Sequence, residues 1–172
     1  QAFQSLAIFE GSFTAQAADA IAAIPPAVLN ALLDKSLVYS MPREVRAATA
    51  TADDAMEQRY RLHPILHQYA AEKLTAAAEA NRAILQRHAH YYSTWVAAQA
   101  AALYTAQAAQ VSDHMTSEIE NIRKSWQTAV AFRLYPMLER YLPGMVQYYR
   151  LRGLFQEGQA LLSLALAQLT QR

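Results

Sequence analysis

Apolar residues recur at three- and four-residue spacing along most of this chain, the repeat of helices that each bury one face. Leu6, Ala7, Phe9 and Phe13 open the pattern, and Glu10-Gly11-Ser12 interrupts it as a helix stop followed by a restart. Thr14 is the expected cap of a second helix, Ala15 to Ile24, whose stripe is Ala17, Ala18, Ile21 and Ile24. Pro25-Pro26 ends that helix, and Pro26 suits the first position of a third, because the N–H that proline lacks would have no partner there. Val28, Leu29, Leu32 and Leu33 mark the third helix's face. The helical repeat then lapses twice, at LVYSM (37–41) and QRYRL (58–62), which read as strands. The segment between them is rich in Ala, Thr and Asp, longer than an ordinary hairpin loop and expected to be mobile.

Helix returns abruptly within RYRLHPILHQYAAEKL, residues 59–74. Pro64 fits a first helical position, which makes His63 the expected cap, and Ile65, Leu66, Tyr69, Ala70 and Leu74 mark the expected buried face. Beyond Ala80 everything reads as helix. Ile84, His88, Tyr91, Tyr92 and Trp95 form an aromatic core row. The alanine-rich stretch 97–109 predicts either close helix packing or a break near Tyr104. Ser112 is the expected cap of a helix striped by Met115, Ile119, Ile122, Trp126, Ala129 and Val130, with Glu118, Glu120, Arg123 and Lys124 facing away. Two more helices, Pro136 to Arg152 and Phe155 to Leu169, are divided by Gly153, as a left-handed residue after a helix end would divide them.

The resulting fold class is mainly α. Three short helices and a β-hairpin are the order of a winged helix, assigned with the following helix to residues 1–77. Residues 78–172 form an antiparallel helical bundle or the start of an α-solenoid. A solenoid repeat cannot bury its face alone, so the last helix is expected to leave Leu161, Leu164 or Leu169 exposed.

Composition changes this picture in few places. With 172 residues and 53% hydrophobic content, the chain can bury one or two cores. Its net charge of +1 points to neither nucleic acid nor membrane, yet residues 1–121 hold 8 Lys/Arg against 12 Asp/Glu and residues 122–172 hold 7 against 2. The basic second part could meet an acidic partner, but arginines spread over helices in this way are more often solvated faces. Cysteine is absent, which excludes disulfides and thiolate metal sites. No apolar run reaches the roughly 18 residues of a membrane helix and no signal segment opens the chain, so a cytoplasmic location is expected. The chain begins at Gln1 within helical pattern, which suggests a piece of a longer polypeptide.

The strongest candidate for chemistry is His63. An imidazole at a helix start lies beside free backbone N–H groups and the positive end of the helix dipole, a ready site for phosphate or another anion. His63 and His67 are four apart, but Pro64, Ile65 and Leu66 between them supply no carboxylate and no third ligand follows, so no metal site is assigned. His88 and His90 should point to different sides of their helix, and His114 should lie at the surface. Asp53 and Asp54 fall in the long loop, without the rigid, desolvated setting of a catalytic pair. The sequence has no G-x-x-x-x-G-K-[ST] loop to cradle ATP phosphates, so no catalytic residue is assigned and the chain by itself is not expected to hydrolyse ATP. The third helix, PAVLNALLDKS, offers Asn30, Asp34 and Lys35 where a DNA reader would present several cations, and so reads as a protein-contacting helix. In the wing, Arg43, Arg46, Arg59 and Arg61 are offset by Glu44, Asp53, Asp54 and Glu57.

Taken in order, LAIFEGSFTAQAADAI, VLNALLDKSLVY, RYRLHPILHQYAAEKL, RHAHYYSTWV and SEIENIRKSWQTAVA resemble the region after the nucleotide-binding core of STAND-class signalling ATPases, in particular bacterial transcriptional regulators of the NB-ARC and LuxR/MalT-like kind. Gly153, Phe155, Glu157, Gly158, Leu162, Ala165 and Leu166 fall where a tetratricopeptide-like (TPR-like) repeat places its small and large residues, with Gly158 where alanine is usual. In that family a winged-helix histidine contacts the phosphates of bound ADP and helps hold the closed, inactive state. The resemblance places that role on His63, while Pro64 departs from the family's usual Asp. It implies a non-catalytic regulatory and scaffolding fragment. ADP or ATP is bound only in the parent protein, and the partners are the parent's nucleotide-binding domain and helical sensor repeats or a partner protein. A winged-helix DNA-binding domain with a helical protein-interaction extension is the alternative of a different class.

Overall fold

A computed structural model describes residues 2–41 and 58–170. It divides into two compact units, Gln1–Ile84 and Leu85–Arg172. Arg43, Glu44, Arg46, Asp53, Asp54 and Glu57, expected between the two strands, lie outside the described residues.

In the first unit, α1 (Ala2–Ser5) runs into a 3-10 turn (Leu6–Ile8), and Gly11, at φ +80°, reverses the chain before β1 (Phe13–Thr14). Thr14 then caps α2 (Ala15–Ala22), its Oγ1 accepting the Ala17 N–H at 3.1 Å. Pro26 opens α3 (Pro26–Asp34) as its first residue. β2 (Val38–Ser40) and β3 (Arg59–Leu62) pair antiparallel, with Val38 opposite Leu62 and Ser40 opposite Tyr60. The expected hairpin is thus present. The sheet also takes in β1, in the order β1-β3-β2, with Phe13 opposite Tyr60 and Thr14 opposite Arg59. A two-residue strand has no period to read, which is why its sequence shows only an apolar residue and a cap. Phe13 stacks on Phe9 with ring centroids 4.6 Å apart. Arg59 fastens β3 to the preceding loop, donating from Nε to Ser12 Oγ at 2.8 Å and from Nη2 to the Ser12 carbonyl at 3.1 Å.

The expected stripe of Ala17, Ala18 and Ile21 on α2, and Ile24 just past its end, is buried together with Leu6, Phe9, Phe13, Val38 and Leu62. Two expected faces need correction. On α3 only Leu29 is buried, with Leu32 and Leu33 half-buried and Val28 exposed. On α4 (Pro64–Ala76), Ile65 is 73% exposed and Tyr69 52% exposed, while Ala70 and Leu74 are buried. This helix packs on α1 and the Leu6–Ile8 turn. The packed side carries His67, Ala70 and Leu74, because His67 Nε2 sits 3.0 Å from the Phe9 carbonyl and takes the place an apolar side chain would occupy.

Ala77 separates α4 from α5 (Ala78–Ala100). The second unit holds the later part of α5, a 3-10 turn (Ala102–Tyr104), α6 (Ala108–Ala131), α7 (Tyr135–Leu151) and α8 (Phe155–Thr170). The break near Tyr104 is present. Ser112, however, is not a cap: α6 begins at Ala108, and Ser112 lies one turn inside it, buried. Alanine's high helix propensity carries the helix back past the polar residue that looked like its start. Tyr92, Val96, Leu103, Met115, Ile122, Trp126, Tyr141 and Met145 form the core. A Cβ on Gly144 of α7 would lie 2.6 Å from Val96 Cγ1 and 2.9 Å from the Val96 carbonyl oxygen, so only glycine permits this approach to α5. Gly158 and Ala165 are the residues of α8 that are buried among those described, while Leu164 is exposed and Leu161 and Leu169 are half-buried. No single helix among the described residues is long and apolar enough to cross a membrane.

Three helix ends share one device, a left-handed residue whose N–H bonds three residues back while the next N–H bonds five back. They are Ser36 with Leu37, Arg133 with Leu134, and Gly153 with Leu154. At Ser36, φ +55° imposes a Cβ penalty that glycine would avoid. Ser36→Gly is therefore expected to stabilise the protein by up to about 1 kcal/mol. Gly144→Ala is expected to destabilise it by about 1–3 kcal/mol, since its Cβ meets backbone that cannot swing aside. Urea unfolding of both variants against the parent sequence checks the opposite signs.

Candidate functional site

His63 stands where β3 becomes α4. Proline restricts the residue before it to extended backbone, and His63 has φ −59° and ψ 135°. Its carbonyl accepts the His67 N–H at 2.8 Å, the first bond of the helix. Its imidazole makes no capping hydrogen bond and is exposed. The N–H groups of Ile65 and Leu66 have no helical carbonyl four residues back, and the helix dipole places partial positive charge at this end. The side chain, backbone donors and positive end of the dipole thus share one solvent-exposed helix start. Leu62, buried and paired with Val38, anchors the site from the strand side, and Ala70 and Leu74 anchor it from the helix side.

Below His63 the outward side of α4 continues with Ile65 and Tyr69, and the Lys73 ammonium lies 5.5 Å from the centre of the Tyr69 ring. Sequence periodicity assigned Ile65 and Tyr69 to the core and so missed this apolar strip. No family model, curated protein or solved structure matches the chain.

The other histidines are placed apart. His67 faces Phe9, and among the described residues no group of three or more His, Asp or Glu side chains is arranged to hold a metal. His88 is buried and His90 exposed, on opposite sides of α5, and the exposed His114 meets the Trp95 ring edge-on at 5.0 Å. Asn30 and Asp34 of α3, and Lys35 at its C-terminal cap, are all exposed.

A second polar group is buried in the helical unit. Glu118, expected to face solvent, is only 4% exposed and accepts the Tyr92 hydroxyl at 2.9 Å and the Asn121 amide at 3.2 Å. The signal was present in the sequence: Glu118 is three residues after Met115 and four before Ile122, on the core stripe. Of the other charges expected to face away, Arg123 is half-buried and bridges Glu120 and Glu157, and Lys124 is half-buried. Tyr141 donates to Ser125 Oγ at 2.6 Å, which donates on to the Ile122 carbonyl at 2.8 Å; burial raises the phenol above its usual range. His88, with its ring 4.9 Å from that of Tyr92, is pushed down to about 3, first by burial and then by the Lys124 charge, with Asn121 acting the other way.

The lowered His88 value gives a pH dependence with a definite sign. Above 6.5 the imidazole is neutral in both folded and unfolded chains; as pH falls from 6.5 toward 3, only the unfolded chain takes up the proton, and stability is lost. Acidification from pH 6.5 to 5 should cost about 2 kcal/mol through this residue. His88→Gln should flatten that part of the profile. Chemical denaturation of both proteins at several pH values checks it, and parallel profiles would show that His88 does not titrate this way.

Proposed function

We propose that this chain is a regulatory and scaffolding fragment of a STAND-type ATPase and transcriptional regulator, acting in the cytoplasm. In the parent, the first unit closes over ADP held by the nucleotide-binding domain, and the helical unit connects to sensor repeats. The observation that carries this reading is the exposed His63 at the start of α4, with its imidazole uncommitted to capping and backbone donors beside it. The adjoining strip of Ile65 and Tyr69 supports it, because a helix end that holds a phosphate and continues as an apolar face suits a partner domain carrying a nucleotide. The exposed polar groups of α3 include one lysine and one aspartate, too little positive charge to favour the DNA-binding alternative. In this reading the chain itself has no catalytic residue, and ATP turnover belongs to the parent.

His63→Ala removes one charge-assisted hydrogen bond to phosphate, worth roughly 1.5–3 kcal/mol. ADP affinity of the intact parent should fall about tenfold to a hundredfold in a calorimetric titration. Thermal unfolding should change little, since the ring makes no capping bond. Equal ADP affinity in the two proteins would reduce His63 to a structural residue.

A further inference from the structure

The outward side of α7 is apolar in the middle and oppositely charged at its two ends. Glu139, Leu142, Pro143, Val146 and Arg150 follow one another at helical spacing, and all are exposed. Val146 and Arg150 also form one wall of a groove of about 230 Å³ between α7 and α8. The other wall carries Phe155, Gln159 and Leu162, with Met145 and Tyr149 beneath. Leu166 extends the α8 wall by one turn; it and Phe155 are each 65% exposed, and Val146 is 48% exposed. A continuous apolar strip of this kind on two adjoining helices marks an association surface.

The charges select what associates there. Glu139 and Arg150 are three turns apart, about 16 Å along the helix, and equally far from a midpoint between Gly144 and Met145. Among the described residues neither has an ion-pair partner within its own chain. A two-fold interface must be complementary to itself. A two-fold axis through that midpoint sets each Glu139 against the other copy's Arg150 and each Val146 against the other copy's Pro143. Opposite charges then meet at both ends, and apolar side chains meet at the axis. We propose that two copies of this chain associate antiparallel through α7 in this register, with Phe155, Leu162 and Leu166 of α8 flanking the contact. The pairing lies within the helical unit and is independent of nucleotide.

Sedimentation velocity on the whole chain tests it. A monomer–dimer equilibrium is expected, with the dimer predominant by about 100 μM. Glu139→Arg and Arg150→Glu each set like charges opposite one another at both ends, so each variant alone should dimerise at least about tenfold more weakly. An equimolar mixture of the two variants should recover the dimer, because every positive end again meets a negative one. Val146→Asp, at an exposed position, should abolish dimerisation while the helical circular dichroism is kept. A chain that stays monomeric at 100 μM would overturn the proposal and leave the face to another segment or protein. Association that continues past the dimer, charge variants that dimerise as well as the parent sequence, or a mixture no tighter than either variant alone would each overturn it too.

Discussion

Proline at 64 constrains the first unit more than any other residue. It cannot continue the hydrogen-bond ladder of β3, and it forces His63 into extended backbone, so the central strand of the sheet must stop and a helix must start within one residue. Strand and helix are each anchored in the core, Leu62 on one side and Ala70 with Leu74 on the other. The histidine between them is consequently held in place by its neighbours while its own ring remains outside the core.

The second unit solves a different problem. Its helices approach closely at small residues, Gly144 against Val96 and Gly158 against Tyr149, where apolar surface is matched by shape. Between α5 and α6 hydrogen-bonding groups are buried instead: the Tyr92 hydroxyl reaches Glu118 only when the two helices are in this register, and Asn121 joins them from within α6. An apolar stripe tolerates a slip by one turn, whereas a buried carboxylate does not. The polar trio therefore contributes specificity of pairing as well as hydrogen bonds.

Much of this was legible in the residues. Proline positions, the Thr14 cap, Gly153 and the long apolar repeats located most helices, because each reflects a local rule that tertiary packing left in force. What was not legible depended on partners distant in the chain. Nothing local says that Phe9 will offer a carbonyl to His67 and so turn α4 away from its most apolar side. β1 exists only because Tyr60 and Arg59 come to meet it. Ser112 illustrates a different failure: serine before an apolar stripe is a fair cap signal, and alanines upstream overrode it.

The sheet register also bears on how the two units reach their folded states. β1 and β3 pair across the whole of α2, α3 and the wing, so the first unit must close a long loop before those hydrogen bonds return any stability. In the second unit α6, α7 and α8 follow one another through short turns, yet Tyr141 reaches the Ala89 carbonyl across 52 positions of the chain and Gln147 that of Leu103 across 44. Loop-closure entropy thus falls on both units, before the sheet pairs in one and before α7 reaches the end of α5 in the other.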